Sequence, residues 1–86
     1  MKVNKILGML AIDKNGIEIG KISNLDIDTE TGEVITVTIT KRENPIKSTN
    51  LLILFSEIKT IGDYIIVDKD VNDIPLEKII EEEISE

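Results

Sequence analysis

The sequence predicts a mainly β protein: a small, partly open antiparallel β-barrel of five to six strands, followed by a short C-terminal α-helix. Three observations carry this expectation. Eighteen of the 86 residues are isoleucine, against one alanine and no glutamine. Isoleucine branches at Cβ and packs best on a pleated surface. Turn dipeptides recur between apolar runs, at Asn15-Gly16, Thr31-Gly32 and Gly62-Asp63. Between Val34 and Lys41, Ile35, Val37 and Ile39 alternate with Thr36, Thr38 and Thr40, the period of a strand with one face on a core and one in water.

The elements follow in order. Leu7 to Ile12 is an apolar run of strand length, and Asp13-Lys14-Asn15-Gly16 is its hairpin turn. The second strand spans Ile17 to about Asp28, but its apolar phase slips. Ile17 and Ile19 are odd, Ile22 is even, and Leu25 and Ile27 are odd again. A flat strand alternates strictly, so bulges or a sharp coil are expected at Gly20 and at Ser23-Asn24. Gly32 ends the next turn, before the alternating third strand. Arg42 to Asn50 is polar, contains Pro45 and is expected to be the longest loop. Leu51 to Leu54 is a short apolar strand, and Phe55 to Ile58 turns a corner. Ile58–Ile61 and Tyr64–Asp68 form a hairpin across Gly62-Asp63, where glycine at the first central position suits a type II′ turn.

The last segment changes character. Asn72-Asp73-Ile74-Pro75 combines capping residues with proline, a helix-start signal. Leu76, Ile79, Ile80 and Ile84 then fall on one helical stripe, which predicts an acidic amphipathic helix over about 74–85. One domain covers 1–86, with the barrel over about 6–70. Such a chain buries only roughly 60–65% of its unfolded surface, so each core position matters.

Composition excludes several functions. Without cysteine or histidine there are no disulfides, no thiolate or imidazole metal site, no cysteine nucleophile and no imidazole base. The net charge is −7 and the ten cations are scattered from Lys2 to Lys78, which disfavours nucleic acid. Arg42 is the sole arginine, and Phe55 and Tyr64 are the only aromatics, too few for a base-stacking platform. No apolar stretch is long enough to span a membrane, and the apolar start ends at Asp13 without a cleavage signal, so a cytoplasmic location is expected. Abundant Ile, Glu and Lys fits a thermophile or an AT-rich genome equally.

Asp26, Asp28 and Glu30 imitate the opening of a calcium loop, but Thr31 and Val37 stand where the loop needs glycine and glutamate. Asp68, Asp70 and Asn72 imitate it again, and Asp73 and Ile79 break it. No catalytic, cofactor or metal residues are assigned, and no small-molecule substrate is expected. Lys41, Arg42, Lys47 and Lys59 are the cations that the long loop would bring together for an RNA contact.

Three stretches resemble the PRC-barrel family. Asn15-Gly16-Ile17-Glu18-Ile19-Gly20-Lys21-Ile22 is similar to its hairpin entry. Leu25 to Val34, with Thr31-Gly32 inside, is similar to its Asp-x-x-Thr-Gly-x-Val turn. Leu52 to Asp63 resembles its corner, except that Leu54 stands where proline is common. The resemblance spans about residues 7–68, with Gly16, Gly20, Gly32, Gly62 and Asp63 as its turn positions. It implies a small barrel with a binding or assembly role and brings no catalytic residues. The family includes the photosynthetic reaction centre H subunit, the C-terminal part of the ribosome maturation factor RimM, and stand-alone archaeal proteins tied to cell division.

The expected function is a non-enzymatic adaptor whose partner is another protein or a second copy, as in a homodimer. The interaction candidates are Leu76, Ile79, Ile80 and Ile84, with an exposed sheet edge second. The alternative is an RNA-metabolism or ribosome-maturation module similar to RimM.

Overall fold

A computed structural model describes residues 3–75 and 78–83. A single helical turn, Val3–Ile6, leads into seven strands: β1 Leu10–Ile12, β2 Glu18–Ile27, β3 Val34–Asn44, β4 Lys47–Leu54, β5 Ile58–Ile61, β6 Ile65–Val67 and β7 Ile79–Glu83. They form one sheet in the order β5-β6-β1-β2-β3-β4-β7. Neighbours are antiparallel except β1 and β6, which are parallel, with Ala11 opposite Ile65. β5 and β7 are the two edges, and among the described residues no pairing closes the sheet between them.

One core lies on one side of this sheet. Ala11, Ile19, Ile22, Val37, Ile39, Leu51, Ile53, Ile65 and Val67 form a single buried cluster with Ile6 and Ile74. A sheet with one apolar face and no helical layer must cover that face itself, which it does by coiling. The bulges that produce the coil sit where the apolar phase slips. Ala11 pairs with Gly20 and Ile12 with Glu18, so Ile19 is extra. Ile22 pairs with Ile39 and Asn24 with Thr38, so Ser23 is extra. Ile19 and Gly20 are accordingly both buried, and Ser23 and Asn24 both exposed. A Cβ on Gly20 would stand 2.5 Å from the Thr40 carbonyl oxygen, so only glycine lets β2 and β3 approach here.

The first hairpin is closed differently from a two-residue Asn-Gly turn. Gly16 N–H donates to the Asp13 carbonyl and Gly16 alone is left-handed (φ 82°); Asn15 is not. The turn therefore runs Asp13 to Gly16, with glycine last, the arrangement of a type I turn followed by a G1 bulge.

Several expectations are corrected. The C-terminal segment is not an α-helix: Val71–Asp73 is a 3-10 turn, and Ile79–Glu83 is β7, paired with β4 from Leu51↔Ile79 to Lys47↔Glu83. A helix of about a dozen residues is marginal alone, whereas β4 offers a row of backbone partners to β-branched Ile79 and Ile80. Among the described residues there are seven strands, not five or six. Arg42 to Asn50 is no loop but the end of the β3–β4 hairpin, turning at Pro45-Ile46. Pairing of β2 with β3 stops at Lys21↔Thr40, while β3 and β4 stay paired to Asn44↔Lys47. This arm outruns the core, and that is why its strands are polar.

Ile35 is not on the core face. Asp26 pairs with Thr36 and Ile27 with Val34, so Ile35 is a third bulge, 47% exposed, and Val34 packs inward instead. The first strand is shorter than Leu7–Ile12. Gly62-Asp63 is not a type II′ turn: Ile61 pairs with Ile65 across three residues, and Gly62 lacks the positive φ that the turn requires.

Candidate functional site

β7 places the C-terminal residues on a sheet edge. Ile79 and Ile80 do not share a stripe, because successive strand residues face opposite sides. Ile79, opposite Leu51, packs against the core, while Ile80, opposite Asn50, is 45% exposed. Leu76 and Ile84 lie outside the described residues. One flank of β7 is taken by β4; on the other, no strand pairs with it among the described residues. The strand carries Glu81, Glu82 and Glu83 and no cation.

A groove of about 220 Å³ opens where β7 begins. It brings Ile17, Ile19 and Val71 together with Leu51 and Ile79, with Lys41, Glu43 and Thr49 also lining it. This is the gap left where the β1–β2 hairpin and the Val71 segment meet the β3–β4–β7 arm. Ile17 is 49% exposed there.

The wall formed by Val71 is held by a buried carboxylate. Asp13 is 1% exposed. Its Oδ1 accepts the backbone N–H groups of Asn15 and Ile17, both at 2.8 Å, and its Oδ2 accepts that of Val71 at 3.1 Å. Burial by itself would raise its pKa. The backbone donors from Val71, Ile17 and Asn15, with the Lys14 charge, outweigh it and hold the carboxyl below the ordinary aspartate value. Both of its oxygens accept from the backbone, so the side chain clamps the hairpin to the Val71 segment. Glu57 is a second tie: the Lys69 ammonium bonded to it holds its carboxyl below the usual range, and it also accepts the Leu54 N–H at 3.0 Å.

Adjoining the groove at Glu18 and Lys41, a depression of about 410 Å³ beside Gly20 is lined by Lys21, Lys41 and Arg42. Glu18, Ser23 and Thr40 line it too, and the Thr40 hydroxyl lies 2.7 Å from both Ser23 Oγ and Asn50 Oδ1. Of the four cations expected together, Lys41 and Arg42 share this site. Lys59 lies on β5 and Lys47 at the far end of the arm.

The turn carboxylates serve their own backbone. Asp26 accepts the Thr36 hydroxyl at 2.6 Å, Asp28 the Glu30 N–H at 2.8 Å, and Asp70 the Asn72 N–H at 2.9 Å. Gly32 (φ 76°) closes the β2–β3 turn, and Asp63 sits in the β5–β6 connection. Among the described residues no three acidic side chains converge as a metal cage, and no helix is long and apolar enough to cross a membrane.

The β7 edge, the groove and Lys21 were missed as site features by reasoning from sequence. The signal for β7 was present: Ile79-Ile80 is a β-branched pair, the same residue type that marks the other strands. The groove has no local signal, because Ile17, Val71 and Ile79 meet only through the coil of the sheet.

Compared with known proteins, the chain matches the family model described as PRC-barrel domain over residues 1–73. No curated protein matches it.

Proposed function

The chain belongs to the PRC-barrel domain family, and from that premise we propose that it is a non-enzymatic adaptor for protein–protein assembly. The observation that carries this reading is the open sheet: β5 and β7 each have an outer flank without a strand among the described residues. Such an edge is a row of backbone donors and acceptors that another chain can extend. Asp13, the one buried carboxylate among the residues whose burial is described, accepts three backbone N–H groups, which fits a scaffold better than a reaction centre. The partner is another protein or a second copy, and the setting is the cytoplasm. The resemblance to stand-alone archaeal members supports a partner from the cell division machinery.

Affinity purification from the native host, with nuclease, tests the reading. A defined protein retained in fixed stoichiometry is the expected result. Retention of nothing, or of ribosomal particles alone, rejects it.

A second reading, a module for RNA metabolism or ribosome maturation similar to RimM, is favoured by one observation: Lys21, Lys41 and Arg42 gather in a single depression. The net charge of −7 weighs against it. It requires binding to ribosomal particles that weakens with salt and is lost when Lys41 and Arg42 are replaced by glutamate.

A further inference from the structure

The β7 edge has both the backbone groups to take another strand and a charge that selects which strand. We propose that β7 accepts an extended, basic segment of a partner protein as an eighth strand, with one apolar side chain of that segment seated in the groove at Ile17, Val71 and Ile79. This rests on the adaptor reading and names the chemistry of the partner.

β7 is five residues long and is paired along its whole length on one flank, which holds its backbone in strand geometry for the other. Three of its five residues are glutamates. Opposite charges on facing strand residues stabilise pairing, and like charges oppose it. An incoming segment rich in lysine or arginine is therefore favoured. A second copy pairing through the same edge would set one acidic run against another. The same charges that keep neutral edges away admit a basic one.

The groove adds a side-chain requirement. Ile79 is both the first residue of β7 and part of the groove, so a strand laid along the edge runs directly to it. Ile17 is half exposed there, and an apolar side chain between Ile17 and Val71 would remove it from water. The predicted segment thus carries one apolar residue at the Ile79 end and basic residues along Glu81 to Glu83.

The probe is a fluorescein-labelled synthetic peptide, VKKKKKV-amide, titrated into the intact chain at low salt. Binding is followed by fluorescence anisotropy and by amide NMR shifts. Shifts are expected on β7, Leu51, Ile17 and Val71, and the acidic counterpart VEEEEEV should not bind. N-methylation of the peptide's alternate amides, which blocks strand pairing and leaves the protein untouched, should weaken binding at least tenfold. Combined Glu81→Lys and Glu82→Lys, which stand opposite Thr49 and Ser48 on β4, should do the same with the melting temperature retained. Absence of binding at millimolar peptide overturns the proposal, as does binding indifferent to N-methylation. Self-association of the chain that the double variant abolishes also overturns it, because a second copy then covers the edge. A chain that ignores the peptide but still retains a protein partner after charge reversal loses this site and keeps the adaptor role.

Discussion

The Val71 amide donates to Asp13 Oδ2 at 3.1 Å, across 58 positions of chain. The same carboxylate closes the β1–β2 turn through Asn15 and Ile17. One side chain therefore ties the first hairpin to the segment that leads into β7, and it fixes one wall of the groove.

The tie sets an acid limit on stability. Asp13 has a folded-state pKa below the ordinary value of a free aspartate. Its contribution is thus present above the unfolded pKa, near 4, and is lost as pH falls through the lower folded value. Unfolding midpoints measured between pH 2 and 7 should fall steeply below about pH 4 in the native chain. Asp13→Asn should flatten that limb and lower the midpoint at pH 7. An unchanged acid limb in the variant would reject the assignment.

Gly20 and Gly62 should respond in opposite ways to the same change. A Cβ at Gly20 meets the Thr40 backbone, which cannot swing aside, and Gly20→Ala should cost at least about 2 kcal/mol. Gly62 has open space around it and no left-handed φ, so Gly62→Ala should be neutral or stabilise by about 0.4–1 kcal/mol. Denaturant titration of the two variants decides the matter.

Adjacent isoleucines in β7 should separate as well. Ile79 is half-buried against the core, so Ile79→Ala should destabilise by about 1–2 kcal/mol, part of the cost at a fully buried site. Ile80 is largely in water, and Ile80→Ala should stay within about 0.5 kcal/mol. Equal losses at both positions would point back to a helical stripe.

Leu54 stands where the resembled family often has proline, and its backbone is already set for one, at φ −67° and ψ 139°. Leu54→Pro loses the exposed N–H bond to Glu57 but gains a stiffer unfolded chain. The variant should fold, with stability within about 1 kcal/mol of the native chain. A variant that fails to fold would show that the Leu54 N–H is essential.

The β class, the turns at Gly16, Gly32 and Gly62, and two of the three bulges in the pairings of β2 were legible in sequence. Each has a local cause. Isoleucine favours strands wherever it stands, and glycine and asparagine mark turns through their own backbone freedom. A phase slip such as Ile19 to Ile22 records a bulge within a few residues of it. The third bulge was not legible, because Ile35 keeps perfect alternation with Val37 and Ile39 while only its pairing with β2 turns it outward.

The C-terminal segment marks the boundary most clearly. Leu76, Ile79, Ile80 and Ile84 satisfy a helical period, and Ile79-Ile80 also suits a strand, so the pattern alone is degenerate. What decided it was the free flank of β4, about thirty residues away along the chain but adjacent once the β3–β4 arm had formed. Residue type and spacing determined that this chain is a small coiled sheet around an isoleucine core. Which strand became its edge, and which side chains line the groove beside it, depended on long-range pairing, because backbone hydrogen bonds between strands are insensitive to the side chains that local patterns record.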